Sequence, residues 1–248
     1  MSSPKVVAPW PRSLRAQLHV ELLLLLRQPE NLLVILVLPV LLLALFAGAR
    51  IFPAGAGRPA DFLIPGVITV ALMSTGMVTL GISTAYQRYY RVLKRLGGSP
   101  LPPWVLVLAK AGAVLLVEVG QVALLLVIGR LFFGWSGQVL GAVPFMLLGS
   151  LCFAGLGLTL AGALRAELTL GGANGLYLLF LVVGGVVLPI DHLPSWLQPV
   201  AGALPPALLS SCLREALRAA APAGSSVLLL GGWTLVLAAA AALLFRWE

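Results

Sequence analysis

The chain has 248 residues, 60% of them hydrophobic and 10% charged, with a net charge of +8. A typical soluble domain carries about 25% charged residues, so this composition excludes an ordinary globular protein and indicates a polytopic membrane protein. The basic residues are scattered through short segments between apolar runs, which fits membrane orientation and argues against a nucleic-acid surface.

Residues 1–11 read as a polar, proline-containing arm. Over residues 12–27, Leu14, Leu18, Leu22 and Leu25 keep helical spacing while Arg15 and His19 stay polar, the pattern of an amphipathic helix lying along a membrane. The Leu22–Leu26 run is too short to span, and no small-residue cleavage site follows it, so a cleavable signal peptide is not expected. His19 has no second ligand nearby and reads as a headgroup contact. Arg27-Gln28-Pro29-Glu30-Asn31 ends this helix. Residues 1–31 are thus an arm and an amphipathic helix, ahead of a transmembrane domain at 32–248.

The first span is expected at 32–49, kinked at Pro39, and the second at 62–85 after a Gly- and Pro-rich loop. The second contains Gly66, Thr69, Ser74, Thr75, Gly76, Thr79, Gly81, Ser83 and Thr84. Small residues let helices approach closely in lipid, which places this span at the centre of the bundle.

Immediately after it comes Tyr86-Gln87-Arg88-Tyr89-Tyr90-Arg91-Val92-Leu93-Lys94-Arg95-Leu96-Gly97-Gly98-Ser99-Pro100. Wound as one helix, it sets Tyr86, Tyr89, Tyr90, Leu93 and Leu96 on one face and Arg88, Arg91, Lys94 and Arg95 on the other. Gly97 and Gly98 supply a stop, and Pro100, Pro102 and Pro103 forbid continuation. Such a basic amphipathic helix either lies on anionic headgroups or docks on a protein partner and passes motion to the spans.

The third span, 104–128, holds Lys110, Glu118 and Gln121. Lys110 is close enough to the start to snorkel back to the interface; Glu118 is near mid-depth and is not. A mid-membrane carboxylate is a functional candidate: it could relay protons, bind a cationic substrate, or pair with a polar group such as Asn174, with Gln121 three residues on able to hydrogen-bond it. The glycine-rich fourth span covers 139–163, a tight turn at 164–168 carries Arg165 and Glu167, and the fifth span covers 169–188. The semi-apolar segment 188–223 contains five prolines and Trp196, an interface anchor, with two short helices expected at 195–203 and 207–220. The sixth span follows at 226–245.

Ten basic residues fall on one side (Lys5, Arg12, Arg15, Arg27, Arg88, Arg91, Lys94, Arg95, Arg165, Arg246) and five on the other (Arg50, Arg58, Arg130, Arg214, Arg218). By the positive-inside rule both termini and the Tyr86 helix are cytoplasmic, in keeping with six spans.

Chemistry is sparse. Cys152 and Cys212 have no metal-ligand spacing and read as packing residues, and no metal site is expected. Asp191, His192 and Ser195 lie in a proline-rich segment without a nucleophile turn, and Ser210-Ser211-Cys212 fares no better. No G-x-x-x-x-G-K-[ST] phosphate loop exists, so this chain is not expected to hydrolyse ATP.

Three segments carry a family resemblance: Arg27 to Asn31 leading into a span with Pro39; the stretch 86–101 after span two; and Val187-Leu188-Pro189-Ile190-Asp191-His192-Leu193-Pro194-Ser195-Trp196-Leu197-Gln198-Pro199 on through Pro205 and Arg214. In that order and at those intervals they resemble the membrane subunit of ABC transporters of the ABC-2 (type-2 exporter) class. The resemblance implies an all-α fold: six transmembrane helices, a connecting helix, a cytoplasmic coupling helix, and extracellular re-entrant helices between spans five and six. It implies ATPase contacts at Tyr86, Arg88, Tyr89, Tyr90, Arg91, Leu93, Lys94 and Arg95, and a substrate pathway near Glu118, Gln121, Thr75 and Thr79. It also implies a separate ABC ATPase subunit binding the ATP and Mg, a second permease copy (homodimer) or similar chain, and contact with membrane lipids. The setting would be the cell membrane and the task export of a hydrophobic or amphipathic, drug- or lipid-like cargo, as in multidrug efflux. Many relatives carry acidic residues near the coupling helix, whereas 86–110 has none, so the docking surface it meets should be acidic or aromatic. The alternative is an ion-coupled secondary transporter using Glu118, against which stand the single mid-span acid and the absence of a visible inverted repeat.

The orientation is checked with single cysteines at Arg91 and Ser195, which should react with an impermeant reagent from opposite sides. Reaction from the same side would overturn the map.

Overall fold

The computed structural model describes residues 10–27, 29–48, 59–98, 102–187 and 189–244. The first nine residues of the arm, the loop at 49–58, the stretch 99–101 with Pro100, Leu188, and residues 245–248 with Arg246 lie outside the described residues. Lys5, Arg50, Arg58 and Arg246, four of the residues used for orientation, are therefore among those not described.

Among the described residues the regular structure is entirely helical. Helix α1 covers Trp10–Leu26 and α2 covers Pro29–Gly48, with Pro39 inside it. Next come α3 (Pro59–Met73), a π-helical turn (Ser74–Thr79) and α4 (Leu80–Tyr89), which run on as one long rod, and then the short α5 (Val92–Gly97). Helix α6 is Pro103–Phe133, α7 Val143–Ala163, and α8 Ala166–Val183. Two short helices, α9 (Gln198–Gly202) and α10 (Pro205–Leu217), precede α11 (Gly224–Leu244). Among the described residues, five stretches are long and apolar enough to cross a membrane: Ala60–Tyr89, Trp104–Phe133, Leu140–Ala163, Ala166–Val183 and Gly224–Leu244.

The α3–α4 rod is the centre of the bundle, as its small residues foretell. Its most apolar window is 94% buried inside the protein, against 22% for α11. The reason lies at the face shared with α7. Gly81 and Gly157 put backbone against backbone, and a Cβ on Gly157 would come within 2.6 Å of the Gly76 carbonyl oxygen and 2.7 Å of that of Met77. The opposite side of α7 works the same way, since a Cβ on Gly155 would stand 3.1 Å from the Leu237 backbone of α11. Lipid gives no hydrophobic drive to helix pairing, so such close dispersion contact is the main source of cohesion. In the π turn, Thr79 donates its hydroxyl to the Ser74 carbonyl, 3.2 Å away and five residues back, and so occupies an acceptor in the widened ladder.

At one end of the bundle α10 packs into the core through Leu208, Leu209, Leu213 and Leu217. Arg214, counted by sequence among orienting surface charges, instead lies 3.9 Å over the Phe62 ring and donates to the Gly185 carbonyl at 2.7 Å. Trp196 is exposed, in keeping with an interface anchor. Helix α8, expected from sequence to continue to 188, stops at Val183 because the chain turns at Gly184 and at Gly185, where φ is +62°. In the other direction α6 runs past 128 to Phe133 and ends on Gly134 in the left-handed region.

Replacing Gly157 with alanine should destabilise the protein by about 1–3 kcal/mol, because the backbone facing it has to move. Gly171, with open space around it, serves as the control and should tolerate alanine. Thermal unfolding in detergent compares the two.

Candidate functional site

The aromatic and basic stretch forms an elbow, and the single helix expected there does not occur. Helix α4 ends at Tyr89, and Arg91 adopts φ 57°, ψ 22° before α5 begins. The left-handed region costs a non-glycine residue on the order of 1 kcal/mol, so the turn is held by its surroundings. The Tyr90 amide donates to the Tyr86 carbonyl and the Arg91 amide to that of Arg88, each at 2.9 Å.

The break redistributes the residues. Leu93 turns inward and is buried, while Tyr89 and Tyr90 stand 64% and 65% exposed. Three tyrosine rings gather: Tyr86 stacks on Tyr90 at 6.2 Å, and Tyr89 meets Tyr90 edge-on at 5.2 Å. Arg88 does not face outward with the other basic residues. Its guanidinium donates to the Gly162 carbonyl at 2.7 Å and to the Leu164 carbonyl, capping the end of α7 where the helix dipole is negative. Beside it an open cleft of about 540 Å³ is lined by Arg88, Tyr89, Arg165 and Glu167. Of the eight contact residues inferred from sequence, Arg88 and Leu93 are engaged within the chain, and Tyr86 is half-buried. The outward surface consists of Tyr89, Tyr90, Arg91, Lys94 and Arg95.

A second set of polar side chains ties this elbow to α1. Lys110 does not snorkel. It is fully buried, 3.0 Å from Glu21 and 2.6 Å from the Gln87 amide oxygen. Gln17 donates to the other oxygen of Glu21 at 3.0 Å. The chain Gln17–Glu21–Lys110–Gln87 therefore joins α1, α6 and α4, and Trp10 packs on Trp104 at 5.7 Å at the far end of the same contact. Sequence reading missed Glu21. The signal was available, since a lone acid among Leu18, Leu22 and Leu25 requires a cation, and Lys110 is the lysine just inside the next long helix.

The mid-span residues separate as well. Thr75 donates to the Gln121 carbonyl oxygen at 2.9 Å, and the Gln121 amide donates to the Ile35 carbonyl at 3.1 Å. Gln121 thus joins the π turn, α6 and α2, and has no bond to Glu118. Asn174 is exposed and donates to Leu170 on its own helix, so it does not pair with Glu118 either. Both oxygens of Glu118 lack a hydrogen bond although the residue is only 2% exposed. The buried Ser150 hydroxyl of α7 is near enough to act on the carboxyl but short of bonding geometry. Thr75, Thr79 and Gln121 are spent on holding the core together, and Glu118 alone of the four pathway candidates keeps its hydrogen-bonding capacity.

The sequence pattern that defines ABC-2 type transporters matches residues 12–217. The chain belongs to the ABC-2 type transporter family. Among curated proteins, YvfS of Bacillus subtilis (strain 168), a proposed transport permease, is 26% identical over 172 residues. That alignment covers 64% of this chain and 66% of the length of YvfS. The ABC-2 match extends from α1 to the end of α10 and includes the elbow, the Glu21–Lys110 pair and Glu118. With its long apolar helices, this ABC-2 family member is a multi-pass membrane protein.

Removing one member of a buried ion pair leaves an uncompensated charge, which costs about 3–5 kcal/mol. Lys110→Met alone should therefore destabilise strongly. The double change Glu21→Gln with Lys110→Met should recover most of the loss, a coupling that a double-mutant cycle of unfolding in detergent reads directly.

Proposed function

We propose that this chain is the permease subunit of an ATP-driven ABC exporter, driven by a separate ATPase that docks on the α4–α5 elbow. One observation carries the reading. A cluster of exposed tyrosine and basic side chains projects from the end of the most buried helix, and the adjacent Arg88 is bonded to the end of α7. Aromatic and arginine residues dominate interface hot spots, and a partner pressing on Tyr89 and Tyr90 would load the core through two helices at once. In this arrangement α2, 20 residues and about 30 Å long, is the first of six spans. Both termini and the elbow face the cytoplasm, and α9 and α10 form the re-entrant outer segment. A second copy or a similar chain completes the transporter, and the apolar helices suit a hydrophobic or amphipathic cargo moving outward. ATP and Mg belong to the ATPase. An ion-coupled mechanism through Glu118 would require a proton or ion path, and among the described residues no second titratable group bonds to it.

Truncating Tyr89 and Tyr90 to alanine should weaken ATPase assembly by about 2 kcal/mol or more. Arg88→Ala should leave the ATPase bound while lowering transport per ATP hydrolysed, because it cuts the link to α7 and not the docking surface. A pull-down paired with an ATPase and transport assay measures both. Full retention of binding and coupled activity in the double tyrosine variant would refute the docking assignment.

A further inference from the structure

Helices α6 and α7 leave a seam between them on the outer face of the bundle. Part of it is a cleft of about 260 Å³ walled by Leu72, Val122, Leu126, Val143 and Met146, with Glu118 among its lining residues. Its rim is open, Val119 being 66% and Leu147 47% exposed. Farther along the same two helices lies a second apolar groove of about 720 Å³, lined by Trp104, Leu108, Ala111, Leu151 and Leu158 and walled on its far side by Ala238 and Ala241 of α11. From Trp104 to Leu126 the helix rises about 33 Å, so the seam extends across roughly the thickness of a bilayer, with Glu118 close to its middle.

The three buried polar side chains of α6 have different fates. Lys110 is neutralised by Glu21, and Gln121 is bonded to Thr75 and to the α2 backbone. Glu118, three residues from Gln121, has no cation and no well-formed hydrogen bond among the described residues, only the Ser150 hydroxyl nearby, and it lines the apolar seam. A carboxylate without a counter-charge is costly in hydrocarbon, and among the described residues no cation offsets it. The walls provide burial for an apolar body, and the carboxyl provides a single point of negative charge.

We propose that the α6–α7 seam binds a lipophilic monocation from within the membrane, its apolar body between the two helices and its positive centre at the Glu118 carboxylate. The occupant is a cation because the one polar group in the cleft is an acid with no counter-charge. It is lipophilic because every wall is apolar and the mouth opens where lipid lies. As a statement about binding, this is independent of the energy source; as a statement about cargo, it rests on the exporter reading above.

The test uses the full chain in lipid nanodiscs, without ATPase, with tetraphenylphosphonium as the probe in equilibrium binding. A charge-assisted contact in a dry site is worth on the order of tenfold to a hundredfold in affinity. Glu118→Gln should lose that much, and Glu118→Asp, which keeps the charge, should lose much less. Leu147→Trp at the rim leaves the carboxyl intact and should also weaken binding by obstructing the mouth, which keeps the test decisive if the glutamine variant does not fold. No binding to the parent chain, or parent-like binding by both Glu118→Gln and Leu147→Trp, overturns the site. So does disulfide dimer formation by Val119→Cys in the same nanodiscs, because a second copy would then cover the seam. ATPase pull-down reports separately on the exporter reading, so either can fail without the other.

Discussion

The structure depends on how closely α7 can approach the central rod. Gly157 lies against the backbone at Gly76, Met77 and Gly81 with no side chain between them. In water such a contact would be one of many contributions; in lipid it replaces the hydrophobic drive. Arg88 follows Gly81 by seven residues, about two turns, and so emerges on nearly the same face. It reaches the last carbonyls of α7 because the two backbones are already in register there. The mechanical connection at the elbow is therefore a consequence of two glycines, and the orientation of Tyr89 and Tyr90 follows from it.

Among the described residues, most buried charged and amide side chains hold helices together, while the Glu118 carboxyl is left available. The Glu21–Lys110 pair and the Thr75–Gln121 bond each cross between helices that are distant in sequence, 89 and 46 residues apart. Ion pairs of this kind add little net stability over apolar packing, but they penalise wrong arrangements heavily, and this one fixes where α1 lies on α6. Arg214 has an equivalent role at the other end, covering Phe62 and holding the Gly185 carbonyl. Against that background Glu118 stands out by what it lacks.

Most of the architecture was legible from hydropathy and composition. Small residues at Gly76 and Gly81 announced a central helix, and the proline clusters announced the short helices α9 and α10. What escaped was set by tertiary partners. Nothing local shows that Arg91 adopts a left-handed conformation, because arginine is a good helix former. Lys110 looked like an interfacial lysine because its partner is 89 residues away in sequence. Gln121 and Asn174 were plausible companions for Glu118 by spacing, and both proved to be committed elsewhere. Spacing along one helix specifies which side chains share a face; it does not specify which neighbour meets that face.

The π turn has a geometric consequence for the whole rod. Residues five apart in a regular helix diverge by about 140°, since each residue advances about 100°. Gly76 and Gly81 are five apart, yet both meet Gly157. The widened turn between Ser74 and Thr79 absorbs that angular mismatch, much as a leap day keeps a calendar aligned with the seasons. Without the surplus residue everything beyond Thr79 would be turned by about 100°. Arg88 would then point away from the end of α7, and the elbow would face a different side of the molecule. The direction in which this protein presents its tyrosines is thus decided seven to twelve residues before the first of them, by a local change of helical pitch in the middle of the membrane.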